Sequence, residues 1–445
     1  MNERLSRKLF SAFSAVTDTS PKFGAACLNC LSRHTMGSDR AIGRDARRIR
    51  KQLAARRSFD RFLVIADLNI GDAVTIKSSI HALRDFFPEA RIDYAVSRYA
   101  TPLVVDDPEI SRLLPIFANT PYPSDAEVRR LKRVTKYNHY DVILSFCPYF
   151  SRRHIARNGE TMIDYMLLGR NLASNSPNPS EIYHVVHLAH RLVHDTFASI
   201  LGAGRPRTFT GATVILAPEA SENAAAFLHS LGLTPEERII LYNPDASSRF
   251  SRVPFDMQVD LLRSLTKLPH PVLLGAGHTE KRIEVKLLDK LTTAERGRVV
   301  TVPAYLSIDT YAALIDLCDL FITPDTGPTH IAAARKFSSD PTIEYRNRTA
   351  VFTIFGASPP RVYGYDSERE GFYPANQDAP SRVYIARSPC RNITCINKKA
   401  KTCRTVRCFE DLEIRNIADE AGQYLAAHRT ADSTQQFLNQ WRFYR

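Results

Sequence analysis

The sequence predicts an α/β protein built as two doubly wound parallel-sheet domains. Two observations carry this. Apolar, β-branched runs alternate with helical stretches along most of the chain, and the segments between them read as turns into helices rather than as hairpins. The third is size: 445 residues, 44% hydrophobic and 24% charged, suffice for two or three domains with cores of their own. Global disorder and a small stapled scaffold are both excluded by this composition. No run approaches about 18 consecutive apolar residues, and mean hydropathy is −0.25, so no segment reads as a membrane span.

In order, the first domain is expected over 59–205. It opens with RFLVIAD (61–67), a turn containing Gly71, and a helix from Val74 to Phe87 that stops at Pro88. RIDYAV from Arg91, SRLLPIF from Ser111 and DVILSF (141–146) repeat the strand signal. A second series, 206–445, starts near Gly211. It reads ATVILA, a helix from Pro218 to Leu231, RIILYN (238–243), a helix after Pro254, HPVLLG (270–275), a helix from Thr279 to Leu291, RVVTV, a helix from Ile308 to Leu317, and DLFIT (319–323). The seam lies where Gly202, Gly204, Pro206 and Gly211 cluster. Ligands of such sheets bind beyond the carboxyl ends of the strands, which puts the expected site in a central cleft faced by both domains. His184, His187, His190 and His194 are expected on the solvent or cleft side of one helix, opposite Val185, Leu188, Ala189 and Leu192. No carboxylate is spaced to complete a metal site with them.

Residues 1–58 stand apart as a basic extension. Residues 1–57 hold thirteen Lys or Arg against four acids, so +9 of the net +13 sits there and the body is nearly balanced. Within DRAIGRDARRIRKQLAARR (39–57), Ile42, Ala46, Ile49 and Leu53 fall at helical spacing among basic residues. Such a helix either lies on an anionic membrane surface with its stripe inserted, or is a solvated extension. A nucleic-acid-binding role would rest on this arm alone. Aromatic residues are not interleaved with its arginines, so no nucleic acid is expected as a partner.

Four turns hold candidate chemistry. In Asn69-Ile70-Gly71-Asp72, a carboxylate at a strand end and at a positive helix start stays ionised and suits a base; helix capping is the plainer role for it. ITPDTGPTHIAAA (322–334) leaves the amides of Asp325, Thr326 and Gly327 at a helix begun by Pro328, an anion site to which His330 adds a donor one turn on. NPDASSRFSRVP (243–254) sets Asn243 at a strand end with Arg249 and Arg252 in reach of a diphosphate. In LLGAGHTE (273–280), Glu280 follows a glycine turn and is placed to accept from a ribose hydroxyl. No G-x-G-x-x-G occurs in the first turn, which removes the main support for a dinucleotide enzyme.

The order and spacing of these turns resemble glycosyltransferase family 9, the bacterial heptosyltransferase family. Gly71-Asp72, Phe87-Pro88, Asn243-Pro244-Asp245-Ala246, Gly275 to Glu280, Asp325-Thr326-Gly327-Pro328-Thr329-His330 and VFTIFGASPP (351–360) all have counterparts there. The resemblance covers residues 61 to about 412. It implies a GT-B fold, two Rossmann-like domains, and inverting transfer of a heptose-like sugar from a nucleotide-diphosphate donor to a lipopolysaccharide core or other surface-glycan acceptor, with no cofactor required. Asp72 would be the catalytic base, with Gly71 and Asn69 on the acceptor side. Asn243, Arg249, Arg252, Glu280, Asp325, Thr326, Gly327 and His330 would bind the donor. The expected location is cytoplasmic, peripheral on the inner face of the inner membrane. The chain departs from the family at Asp245, where a small glycine is usual, at the arginines that replace a lysine, in a longer segment over 335–349, and in the arm. A nucleotide-sugar-binding protein that has lost transfer is the alternative.

Cys390, Cys395, Cys403 and Cys408 form C-x4-C-x7-C-x4-C within a basic segment. Nearby cations favour thiolates there, so the four would suit a structural zinc or iron; the x4 spacings are wider than those of a zinc ribbon, and free thiols are the other reading. Cys27 and Cys30 form a lone C-x-x-C in the arm.

Overall fold

The computed structural model describes residues 39–66, 69–118, 123–147, 150, 160–165, 184–202, 211–234, 237–276, 282–304, 306–337, 349–358, 360–369, 380–386 and 406–427. They form two compact units, divided between Ile215 and Leu216.

The first unit carries a five-stranded, all-parallel sheet in the order β3-β2-β1-β4-β5. The strands are β1 (Arg61–Ile65), β2 (Arg91–Ser97), β3 (Arg112–Phe117), β4 (Val142–Ser145) and β5 (Thr161–Asp164). In the central strand β1, Phe62, Leu63, Val64 and Ile65 are all fully buried, because a parallel sheet is covered on both faces. Each such side chain contributes about 1.5–3 kcal/mol by leaving water. A cluster of aromatic rings fills one face: Phe197 meets Phe62 edge-on at 5.9 Å and Phe87 at 5.0 Å. The helix over Asp125–Asn138 starts with a full capping box, Ser124 accepting from the Glu127 amide and Glu127 from that of Ser124.

Three expectations for this unit change. The helix Asp39–Ala54 exists, but Ala46, Ile49 and Leu53 are buried, so the stripe read as lipid-facing packs on the protein itself, leaving Arg44, Arg47 and Lys51 exposed. The histidine helix, Val185–Leu201, buries His190 and His194 where a solvent face was expected. These rings stack at 6.0 Å, His190 lies 3.9 Å from Asp85, and His194 reaches its neighbour Asp195 at 3.4 Å; carboxylate partners make that burial tolerable. Residues 212–217, read as a strand opening the second domain, join neither sheet; Gly211–Ile215 belongs to the first unit.

The reason is a buried lysine. Lys77 is fully enclosed, ion-paired with Asp107, and donates to the carbonyl of Thr213 at 2.9 Å and to its hydroxyl. His81, paired with Glu109, also reaches that hydroxyl at 3.3 Å. An unpaired buried ammonium would cost several kcal/mol, so this network fixes the connecting segment onto the first unit.

The second unit holds a six-stranded, all-parallel sheet in the order β11-β10-β9-β6-β7-β8. Its strands are β6 (Ile240–Tyr242), β7 (Val272–Leu274), β8 (Val299–Thr301), β9 (Leu320–Pro324), β10 (Ala350–Phe355) and β11 (Ser381–Ile385). Helices Pro218–Ser230 and Ile308–Asp316 cover one face over Leu241, Leu273, Phe321 and Val351. Helix Phe255–Leu265 packs with Ile414–Ala427. Among the described residues, no helix is long and apolar enough to cross a membrane.

Candidate active site

In the first unit, β1 runs into a short helix, Ile70–Thr75, with Asn69 as its N-cap and Asp72 in its first turn. The backbone carbonyl of Asn69 receives the Ala73 amide, but its side chain makes no capping bond. Its amide instead donates to the Asp72 carboxylate at 3.0 Å. Asp72 is half-buried, and burial pushes its carboxyl above the usual aspartate value while the Asn69 hydrogen bond pulls it down. Beneath it, the fully buried Tyr94 donates its hydroxyl to the Ala73 carbonyl at 2.7 Å, which ties the turn to β2. One side-chain hydrogen bond thus orients the carboxylate, and the turn that carries it is tied to β2. Gly71 is buried in the same turn.

The ends of β6, β9 and β10 hold the other candidates. Asn243 donates from its side chain to the Thr323 hydroxyl at 3.1 Å and to the Asp245 carbonyl at 3.3 Å, linking two strand ends. Arg252 reaches Asp245 at 2.6 Å and also donates to the Ala246 carbonyl. The departure at Asp245 is thus matched by a cation, with Arg252 paired to its carboxylate. Arg249 is exposed, with its guanidinium 4.7 Å over the Phe250 ring. Ala357 donates to the Phe250 carbonyl at 3.1 Å, and a Cβ on Gly356 would sit 2.1 Å from that same oxygen, so only glycine lets β10 approach the arginine loop.

After β9, the Asp325 amide donates to Ile354 at 3.1 Å, pinning the turn to β10. Helix Gly327–Phe337 follows, and the Thr329 hydroxyl donates back to the Pro324 carbonyl at 3.0 Å. The amides of Thr326 and Gly327 open this helix, where no carbonyl one turn back within it can receive them. His330 lies one turn in, 7% exposed, with Nδ1 3.0 Å from the Tyr365 hydroxyl. Burial pushes its pKa down to about 4, so the imidazole is neutral at physiological pH. The second unit thus carries two helix-start amides and a neutral imidazole after β9, and an exposed guanidinium in the loop after β6.

Sequence reasoning missed Tyr365, Tyr94 and the Lys77 network. Lys77, between Ile76 and Ile80 in the helix expected from Val74 to Phe87, was the available signal for the last. Glu280, Cys27, Cys30, Cys390, Cys395 and Cys403 lie outside the described residues. Cys408 is buried, and no group of three or more metal-ligating side chains occurs among the described residues.

Comparison with known proteins bears on the fold and the family. Three solved structures share the fold: Escherichia coli ADP-heptose lipopolysaccharide heptosyltransferase II (16% identity, TM-score 0.53, 82% of this chain and 98% of that one); a family 9 glycosyltransferase from Veillonella parvula (14%, 0.59, 84% and 99%); and the E. coli heptosyltransferase WaaC with ADP (14%, 0.50, 82% and 99%). Lipopolysaccharide heptosyltransferase 3 of E. coli K12 is 22% identical over 293 residues, 65% of this chain and 80% of that protein. The model of glycosyltransferase family 9 (heptosyltransferase) matches residues 170–401, more than half of the chain. With two parallel-sheet units of the GT-B type and this match, the chain belongs to glycosyltransferase family 9.

Proposed function

We propose that the protein transfers a heptose-like sugar from a nucleotide-diphosphate donor, of the ADP-heptose type, to a lipopolysaccharide-core or related surface-glycan acceptor, with inversion. The observation that carries the donor side is the Asp325–His330 turn, with helix-start amides and a neutral buried histidine; the exposed Arg249 stands in the loop after β6 of the same unit. These groups meet the charge that develops on the departing diphosphate, and such stabilisation supplies the larger share of barrier lowering. The names of the similar proteins, which specify ADP-heptose and lipopolysaccharide, support the substrate class.

In this reading Asp72 takes the proton of the acceptor hydroxyl as that oxygen attacks the anomeric carbon on the face opposite the diphosphate. A carboxylate is a weak base towards an alcohol, so proton removal is concerted with leaving-group departure. Burial makes Asp72 a stronger base, and the Asn69 hydrogen bond offsets part of that rise by favouring the carboxylate. No metal or cofactor carries a step in this scheme. The exposed Arg44, Arg47 and Lys51 would meet an anionic inner-membrane surface by charge alone, since the apolar stripe of their helix is already buried.

Nucleotide choice is tested by thermal stabilisation. ADP is expected to raise the melting midpoint more than UDP, GDP or CMP at equal concentration, and transfer from ADP-heptose to a heptose-deficient lipopolysaccharide core is expected to follow. A preference for another nucleotide would overturn the ADP assignment, and donor binding without transfer would overturn the enzymatic one.

A further inference from the structure

We propose that Tyr365 is a positioning residue: its hydroxyl donates to Nδ1 of His330 and so holds the imidazole with its proton on Nε2, the nitrogen that then donates to the diphosphate of the sugar donor. The inference rests on the reading that the donor phosphates sit at the Asp325–His330 turn. It adds which atom of His330 serves them and what fixes it.

Three observations carry the assignment. His330 and Tyr365 are 7% and 2% exposed, and their polar atoms stand 3.0 Å apart, so water does not compete for this bond. A neutral imidazole has one protonated and one bare nitrogen, and a hydrogen bond at one settles the role of the other. A phenol hydroxyl is a better donor than an imidazole N–H, and a bare imidazole nitrogen a better acceptor than a phenol oxygen. The pair therefore prefers O–H···Nδ1, with the proton on Nε2. Burial keeps His330 neutral, so a single proton must be allotted.

Tyr365 is itself anchored. Asp366, its buried neighbour, accepts from the amides of Glu368 at 3.1 Å, Arg369 at 3.0 Å and Val383 of β11 at 3.0 Å. On the other side, Gly364 donates to Pro360 at 2.7 Å, and a Cβ on Gly364 would sit 2.5 Å from that carbonyl, so the turn has no room to shift. The His330 ring is further flanked edge-on by Tyr363 at 6.4 Å and Tyr365 at 5.8 Å. A neutral donor so held presents an N–H to the phosphate without rearranging as charge develops.

The test is nitrogen NMR of the full-length protein labelled at histidine, with the His330 resonances assigned by their loss in His330→Gln. The inference predicts Nε2 as the protonated nitrogen in the unaltered protein, and a mixture of the two tautomers in Tyr365→Phe. A wild-type spectrum with the proton on Nδ1 overturns it, whether or not the variant folds. With ADP as probe, Tyr365→Phe is expected to raise the dissociation constant about three- to tenfold in a chain that still unfolds cooperatively, the scale of one weakened hydrogen bond. If His330→Gln leaves ADP affinity intact, the phosphate-site reading fails with it. If His330→Gln weakens ADP but Tyr365→Phe does not, the positioning role alone is overturned.

Discussion

At the end of β1 and at the end of β9 the chain makes the same move, strand into turn into helix, and arrives at opposite chemistry. The first turn presents an acid: Asp72 in the opening turn of its helix, half-open, its carboxylate braced by the Asn69 amide that would ordinarily cap the helix. The second presents donors: Thr326 and Gly327 at the helix start, then His330, buried and neutral against Tyr365. Both helix starts are electropositive. Where a side-chain carboxylate occupies the start, the local field is answered from within and the turn holds a base. At the second, the helix's own first turn holds no acid, and Asp325 stands just before it with its amide given to the Ile354 carbonyl. In the proposed function, one supersecondary unit thus serves as proton acceptor in one place and as phosphate receptor in the other.

The largest break in that comparison is Asp72→Asn, which keeps volume and removes basicity. Turnover is expected to fall about 10²–10⁴-fold in a steady-state transfer assay while donor affinity, read by calorimetry, stays put. On the donor side, Arg252→Ala leaves a buried Asp245 without its cation. A loss of about 3 kcal/mol in denaturant unfolding is expected, and Asp245→Gly in the same chain is expected to restore most of it.

A pH dependence separates the turns next. His330 titrates near 4 when folded against an ordinary value of about 6.5, so between those values the unfolded chain binds more protons. Stability from this group is complete above about pH 6.5 and is lost as pH falls to about 4, by up to about 3 kcal/mol. His330→Gln should flatten unfolding free energy across that window. The smallest effect is Asn69→Ala: without the amide, the acid limb of kcat/KM moves to higher pH, because burial alone then sets the Asp72 carboxyl. An unmoved limb would mean that Asn69 does not support the ionised form.

Much of this could be read from residue patterns. Long apolar runs such as RFLVI and VFTIF became β1 and β10 because both faces of a parallel strand are buried, and the Asp-Thr-Gly-Pro-x-His turn opened a helix as its proline and glycine require. The short strands TMID and SRVYI went unread as β5 and β11, since four or five residues at a sheet edge carry little periodicity. ATVILA misled for the converse reason: its alternation is strand-like, but Thr213 answers Lys77, a contact 136 residues distant in sequence. The histidine helix was misjudged because burial of His190 and His194 depends on Asp85 and on ring stacking, which spacing along one helix does not reveal. For the site, residue types were readable and partnerships were not. The place of Arg252 in its loop was readable but its bond to Asp245 was not, and Tyr365 lies beyond any motif that pointed to His330.

The division of labour between the two turns is tested most directly by single-turnover transfer at rising donor concentration, with Asp72→Asn set beside Arg249→Ala. The account predicts that Asp72→Asn stays slow however much donor is supplied and half-saturates at the wild-type donor concentration, whereas Arg249→Ala needs more donor to half-saturate as well as reaching a lower plateau. Recovery of Asp72→Asn by added donor would contradict the account, because it would make Asp72 a binding residue and leave the proton without an acceptor.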